Sequence, residues 1–149
     1  MLQPILIFLH FTSVIIWVGG MFFAYYCLRP AAAELLDPPK RLPLWVATFE
    51  RFFRFTAIAV SLILISGLTM LIQFGLQSAP IAWIIMMALG LVMTLVFCYV
   101  YFILYPRLRM HCSASAWPPA ALALNSIRRL VGINLVLAVC AVAAAVSTR

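Results

Sequence analysis

The chain has 149 residues and a formal net charge of +7; 67% of them are hydrophobic and only 9% charged, against roughly 25% charged in soluble domains. That composition excludes a water-soluble globular fold, and the length leaves no room for a separate soluble domain beside a membrane-embedded one. With no phosphate loop, hydrolytic triad, dinucleotide fingerprint or CxxC spacing in the chain, no residue pattern asks for an enzyme.

Three stretches lack Lys, Arg, Asp and Glu: Met1–Leu28, Phe55–Pro106 and Leu130–Thr148. A helical span of the bilayer takes roughly 20 apolar residues. The first and third stretches therefore hold one span each. The middle one holds two, broken at Phe74-Gly75-Leu76-Gln77-Ser78-Ala79-Pro80. The fold class expected is all-α, a four-transmembrane-helix bundle forming one integral membrane domain over residues 1–149. The spans are helix 1 at about 3–28, helix 2 at about 52–75, helix 3 at about 80–105 and helix 4 at about 129–147. Residues 29–51 and 106–128 form the two longer connections. Helix 1 is read as retained rather than cleaved, because it has no basic n-region and Trp17-Val18-Gly19-Gly20 runs into further apolar sequence.

The connection after helix 1 carries Arg29, Lys40, Arg41, Arg51 and Arg54, and the one after helix 3 carries Arg107, Arg109, Arg128 and Arg129. Only Arg149 lies on the other side. Since cytoplasmic loops hold the Lys/Arg excess, both termini are expected to face outward, N-out and C-out, in a bacterial inner membrane. The charge then reflects topology and attraction to anionic lipid, each basic residue near the surface contributing about 1 kcal/mol. It does not indicate nucleic-acid binding.

The connections have structure of their own. Pro43 to Arg54 reads as helix, with Glu50 four residues before Arg54, and Pro118-Pro119 suits a helix start. Helices 2 and 4 are thus expected to begin outside the membrane, where Glu50 faces solvent or meets Arg128 or Arg129. The two halves also read alike. Each leaves the membrane at an Arg/Pro exit (Arg29-Pro30; Pro106-Arg107) and reaches a proline pair (Pro38-Pro39; Pro118-Pro119). A Trp (Trp45; Trp117) lies close by, and each half re-enters through basic residues. That is the pattern of two parallel hairpin repeats, although loops at membrane helix ends collect Pro, Trp and Arg in any case.

His10 is the one ionisable residue placed at membrane depth, roughly 10 Å below the outer surface by helical rise. His111 falls on the opposite side, which excludes a membrane cytochrome built on several facing His pairs. Met70, Met86, Met87 and Cys140 lie within about 12 Å of the same surface as His10. Aligning the halves on their Arg/Pro exits places the helix 3 counterpart of His10 at residues 86–88. Imidazole with thioether or thiolate suits Cu(I), and His with Met can ligate haem b axially. Alternatively His10 hydrogen-bonds a neighbouring helix through Thr12, Ser13 or Thr69, and the methionines are apolar filler. Gly19-Gly20, Ser66-Gly67 and Gly90 read as close-packing positions, and Asn134 and Thr94 as hydrogen-bonding ones. No carboxylate lies at membrane depth, which argues against a cation pump. Cys27, Cys98, Cys112 and Cys140 do not form a disulfide framework.

Leu9-His10-Phe11, Trp17-Val18-Gly19-Gly20-Met21-Phe22 and Leu28-Arg29-Pro30 resemble the first helix of bacterial copper-resistance D (CopD) family domains. Arg51-Phe52-Phe53-Arg54-Phe55 with Ser66-Gly67-Leu68, and Tyr105-Pro106-Arg107-Leu108, resemble later parts of the same family. The His10-to-Trp17 spacing is also similar to the start of the HemJ-type protoporphyrinogen oxidases, whose core binds haem. Both groups often carry a Lys early in the third helix. This chain has Ile84-Ile85-Met86-Met87 there and no Lys in any helix, which argues against oxidase activity. The resemblance implies copper or haem handling in the inner membrane. Three roles follow: copper binding or uptake through an outward His/Met site with Met21 and Cys27 extending a path, a b-type haem redox protein with His10 as axial ligand, or a non-catalytic subunit. The last would use Phe97, Tyr99, Tyr101 and Phe102 as an interface. A homo-dimer or larger membrane complex would close a pathway that four helices leave open.

Overall fold

The computed structural model describes residues 2–75 and 77–147. Those residues form four long helices: α1 (Leu2–Leu35), α2 (Pro38–Phe74), α3 (Ile81–Ser113) and α4 (Trp117–Val146). No strand occurs among the described residues. The helices have 34, 37, 33 and 30 residues, and each contains a window apolar enough to cross a membrane. At 1.5 Å per residue α2 is roughly 55 Å long, while the hydrocarbon core is about 30 Å thick. Every helix therefore continues well beyond its apolar stretch. Segments 29–51 and 106–128 are helical apart from Leu36–Asp37 and Ala114–Ala116. The expectation that Pro43 to Arg54 is helical, and that a helix starts near Pro118-Pro119, matches this.

Helices α1 and α3 pass through prolines without ending. A proline inside a helix lacks an N–H, and its ring collides with the carbonyl four residues back. For Pro30 and Pro106 those carbonyls belong to Tyr26 and Phe102. Both lie in π-helical turns, Phe23–Leu28 and Val100–Leu104, each ending two residues before its proline. The wider i→i+5 turn absorbs the mismatch. Pro38-Pro39 and Pro118-Pro119 fall in the first turns of α2 and α4, where missing donors cost little. The two halves thus share the same devices in the same order: π turn, Pro exit, a link of two or three residues, and a Pro-initiated second helix.

The connections are tight. Ser115 takes a left-handed conformation (φ 53°) in the second link. Gly75 (φ 92°) ends α2, its N–H donating to the carbonyls of Leu71 and Ile72, and a side chain would be strained at that φ. Leu76 in this turn, like Arg149, lies outside the described residues.

Helix α1 packs mainly on α2 and α3 mainly on α4, while α2 and α4 each touch the other three helices. The end carrying the two short links, here the basic end, is filled by Leu42, Trp45, Phe49, Phe53, Val100, Leu104, Leu108, Leu124 and Ile127. Its centre is an aromatic stack. Trp45, Phe49 and Phe53, four residues apart on α2, lie with ring centroids 5.1 Å apart at each step. Phe53 also meets Phe97, Tyr101 and Tyr105 of α3 at 5.8, 6.0 and 5.4 Å. A second cluster of Trp17, Met21, Ala59, Val60, Met93 and Ala138 fills the middle of the bundle. Phe8, Ile15 and Leu95 are more than two-thirds exposed, as expected of surfaces that meet lipid.

Individual expectations divide. A Cβ on Gly20 would run into the Phe52 ring, so that glycine does permit close approach, whereas around Gly19 and Gly90 the space is open. Asn134 donates across helices to the Met93 carbonyl (3.2 Å), but Thr94 bonds back to Gly90 in its own helix. Glu50 pairs with Arg54 at 3.0 Å on an exposed face and leaves Arg128 and Arg129 alone. Phe97 and Tyr101 are packed against the core, leaving only Tyr99 and Phe102 of the expected aromatic interface exposed.

Candidate metal site at His10

His10 is half-buried on α1, near the end of the bundle that carries the termini and the 75–80 turn. Its Nδ1 lies 2.9 Å from Ser66 Oγ on α2. The Ser66 hydroxyl donates its one proton back to its own helix, where the carbonyls of Leu62 and Ile63 are both within reach. The oxygen can then only accept from the imidazole, so Nδ1 carries the hydrogen and donates to Ser66. This assigns the tautomer from the network and leaves the Nε2 lone pair as the ligating group. A ring held through its other N–H is the usual arrangement of a metal-binding histidine.

Gly67, next in the chain, makes room for the ring. A Cβ built there would lie 3.3 Å from His10 Cε1 and 3.6 Å from Met87 Cε. The imidazole of α1 and the methyl end of the Met87 side chain of α3 therefore both approach the bare Cα of α2, although α1 and α3 are not major packing partners. Of the sequence-derived candidates, Met87 is the one that shares the surroundings of Gly67 with His10. Met86 is half-buried one residue earlier, about 100° round the helix. Met70 is also half-buried on α2, and Cys140 is exposed on α4. Met21 is buried in the central cluster and Cys27 is exposed. All four cysteines are free.

Ser66 is the functional neighbour that the sequence did not single out; Thr12, Ser13 and Thr69 were the expected partners. Thr69 bonds to Ile65 in its own helix. The signal available was position, since Ser66-Gly67 lies at the depth of His10. Among the described residues no three His, Cys, Asp or Glu side chains gather as a metal site would require, so a site here depends on thioether sulfur. Neutral imidazole with thioether suits a soft, singly charged ion better than a divalent one.

The family model for copper resistance protein D matches residues 46–148. The match takes in most of α2 and all of α3 and α4, but not the helix of His10. Compared with curated proteins and with solved structures, the chain has no significant match to either. With more than half of its length matched and four apolar helices, the chain is a multi-pass membrane protein that belongs to the copper resistance protein D (CopD) family.

Proposed function

We propose that this protein handles copper in the bacterial inner membrane, taking Cu(I) near the outward face between His10 Nε2 and the Met87 thioether. The observation that carries this reading is the Ser66-anchored imidazole lying with the Met87 methyl beside Gly67. Copper is the cargo here. The chain supplies two soft neutral ligands and a positioned ring, and the only acidic residues, Glu34, Asp37 and Glu50, belong to the basic end.

Orientation follows from charge. Nine of the ten basic residues lie at the end opposite the termini, so that end is cytoplasmic and the His10 end periplasmic. The central cluster around Trp17, Met21 and Met93 closes the bundle below the site. For uptake, a homo-dimer or larger complex would supply the route past that cluster.

The test is an anaerobic Cu(I) titration of detergent-purified protein against a chromophoric chelator, with an absorption spectrum of the same sample. The wild type should bind one Cu(I) per chain. Binding should be lost in His10→Ala and weakened about tenfold or more in Met87→Leu. Unchanged binding in His10→Ala would overturn the reading. So would a copper-free preparation whose Soret band disappears in that variant, since His10 would then be a haem ligand.

A further inference from the structure

The other unusual chemistry lies at the basic end. Ten basic residues face three acidic ones, and the only ion pair among the described residues is Glu50–Arg54. Three arginines with no carboxylate partner converge there. Arg29 follows the π turn of α1, Arg41 lies in the start of α2 and Arg128 on α4. The Arg128 guanidinium lies within reach of the charges of both Arg29 and Arg41. Arg29 stacks over the Tyr25 ring at 5.2 Å and Arg128 over Trp45 at 5.7 Å. Those contacts occupy the flat faces of the guanidiniums and leave their N–H edges free. The Nε of Arg41 and the Nε of Arg128 are buried without an acceptor.

A second observation points the same way. Trp45 is 2% exposed, and its indole N–H also lacks a partner. It lines a narrow cleft with Tyr25, Arg29, Phe49, Arg128 and Val131. The accessible wall of that cleft is apolar. Buried donors left open cost about 1–3 kcal/mol each, and like charges in contact add to that. One anion with several acceptor oxygens relieves both, and among the described residues no carboxylate is paired with these arginines.

We propose that Arg29, Arg41, Arg128 and the Trp45 N–H bind the phosphate of an anionic phospholipid, its oxygens meeting the guanidinium edges. Phosphate chemistry fits because Arg forks match its oxygens in pairs. Lipid is favoured over free phosphate as its source because these arginines sit on helices apolar enough to cross a membrane, beyond the apolar stretches, at the level where headgroups lie. Basic pockets between membrane helices on the cytoplasmic side bind headgroups in this way.

The test is native mass spectrometry of the full chain released from nanodiscs of mixed phosphatidylglycerol and phosphatidylcholine. The wild type should retain phosphatidylglycerol selectively. Each of Arg41→Gln and Arg128→Gln should lower that retention about tenfold, the size of one charged hydrogen bond, and Arg128→Lys should restore part of it. Trp45→Phe, which keeps the ring and loses the N–H, should also reduce retention while the protein stays folded by size-exclusion profile. Arg107→Gln with Arg109→Gln, both exposed, should change nothing. Equal loss in that control pair would mean diffuse surface attraction and overturn the site, as would wild-type retention in Arg128→Gln. Saturable protection by inorganic phosphate with no lipid selectivity would overturn the lipid assignment.

Discussion

Ser66→Ala separates a positioned ligand from a packed histidine. The substitution removes the acceptor of the Nδ1–H bond at 2.9 Å while leaving His10, Gly67 and Met87 in place. The stability cost should be small. Interhelical hydrogen bonds in membranes average about 0.6 kcal/mol, and Ala is the better helix former by a few tenths. Fold stability should therefore move by less than about 1 kcal/mol. Copper affinity should respond more, because removing the group that orients a ligating His typically costs 10- to 100-fold. The ring stays packed beside Gly67 and so keeps part of its orientation, which puts the expected loss near the lower limit, about tenfold. The assay is the same chelator competition, run beside thermal unfolding in detergent. His10→Ala sets the floor, and Ser66→Ala added to it should cause no further loss. A Ser66→Ala protein with wild-type copper affinity would refute the tautomer argument, as would a loss in the double variant beyond that of His10→Ala.

Gly67→Val should abolish copper binding by driving a side chain into His10 and Met87, whereas Gly90→Val, with nothing within 4 Å of its Cβ position, should leave it intact; the competition assay reads both. Phe53→Ala should destabilise the bundle by about 2–3 kcal/mol in detergent unfolding. That is less than a soluble core would lose, because lipid tails already offer apolar surroundings and only packing is forfeited; Phe102→Ala, whose ring is exposed, should change stability little. Asn134→Leu should fall within about 0.6 kcal/mol of wild type, since the bond to Met93 that it removes is offset by relief of an Oδ1 that has no partner. An alkaline phosphatase fused after Arg149 should be active in cells, and Ser113→Cys in a cysteine-free background should resist impermeant maleimide until the cells are lysed; the opposite pattern would invert the topology.

The membrane spans were legible because exclusion of charge is a property of the sequence alone: a run without Lys, Arg, Asp or Glu marks where lipid must be. The helix ends were not, because the cues that close a soluble helix do not close these. Pro30 and Pro106 read as exits, yet a π turn ahead of each carries the helix onward to Leu35 and Ser113. Depth can be counted from sequence at 1.5 Å per residue, and aligning the halves on their Arg/Pro exits sets His10 against residues 86–88. What depth counting cannot supply is the angle round each helix. By that count His10, Met70, Met86, Met87 and Cys140 all fall within about 12 Å of one surface. Neighbours in sequence still diverge by about 100°, and Met87 is the one that lies beside Gly67 as His10 does, while Cys140 is exposed.

The arginines at the other end follow the same logic with a different outcome. Read as loop residues, Arg29, Arg41 and Arg128 are solvated charges whose only duty is orientation. Carried on helices that outrun the hydrocarbon core, they are held on three separate elements and cannot diffuse away from one another. Their flat faces rest on Tyr25 and Trp45, and two of their Nε atoms are buried. Repulsion that a loop would relax is thereby retained in the fold. An anion arriving from the membrane has both its charge and its hydrogen bonds prepared for it, and the same helical extension that hid the helix ends from the sequence creates that site.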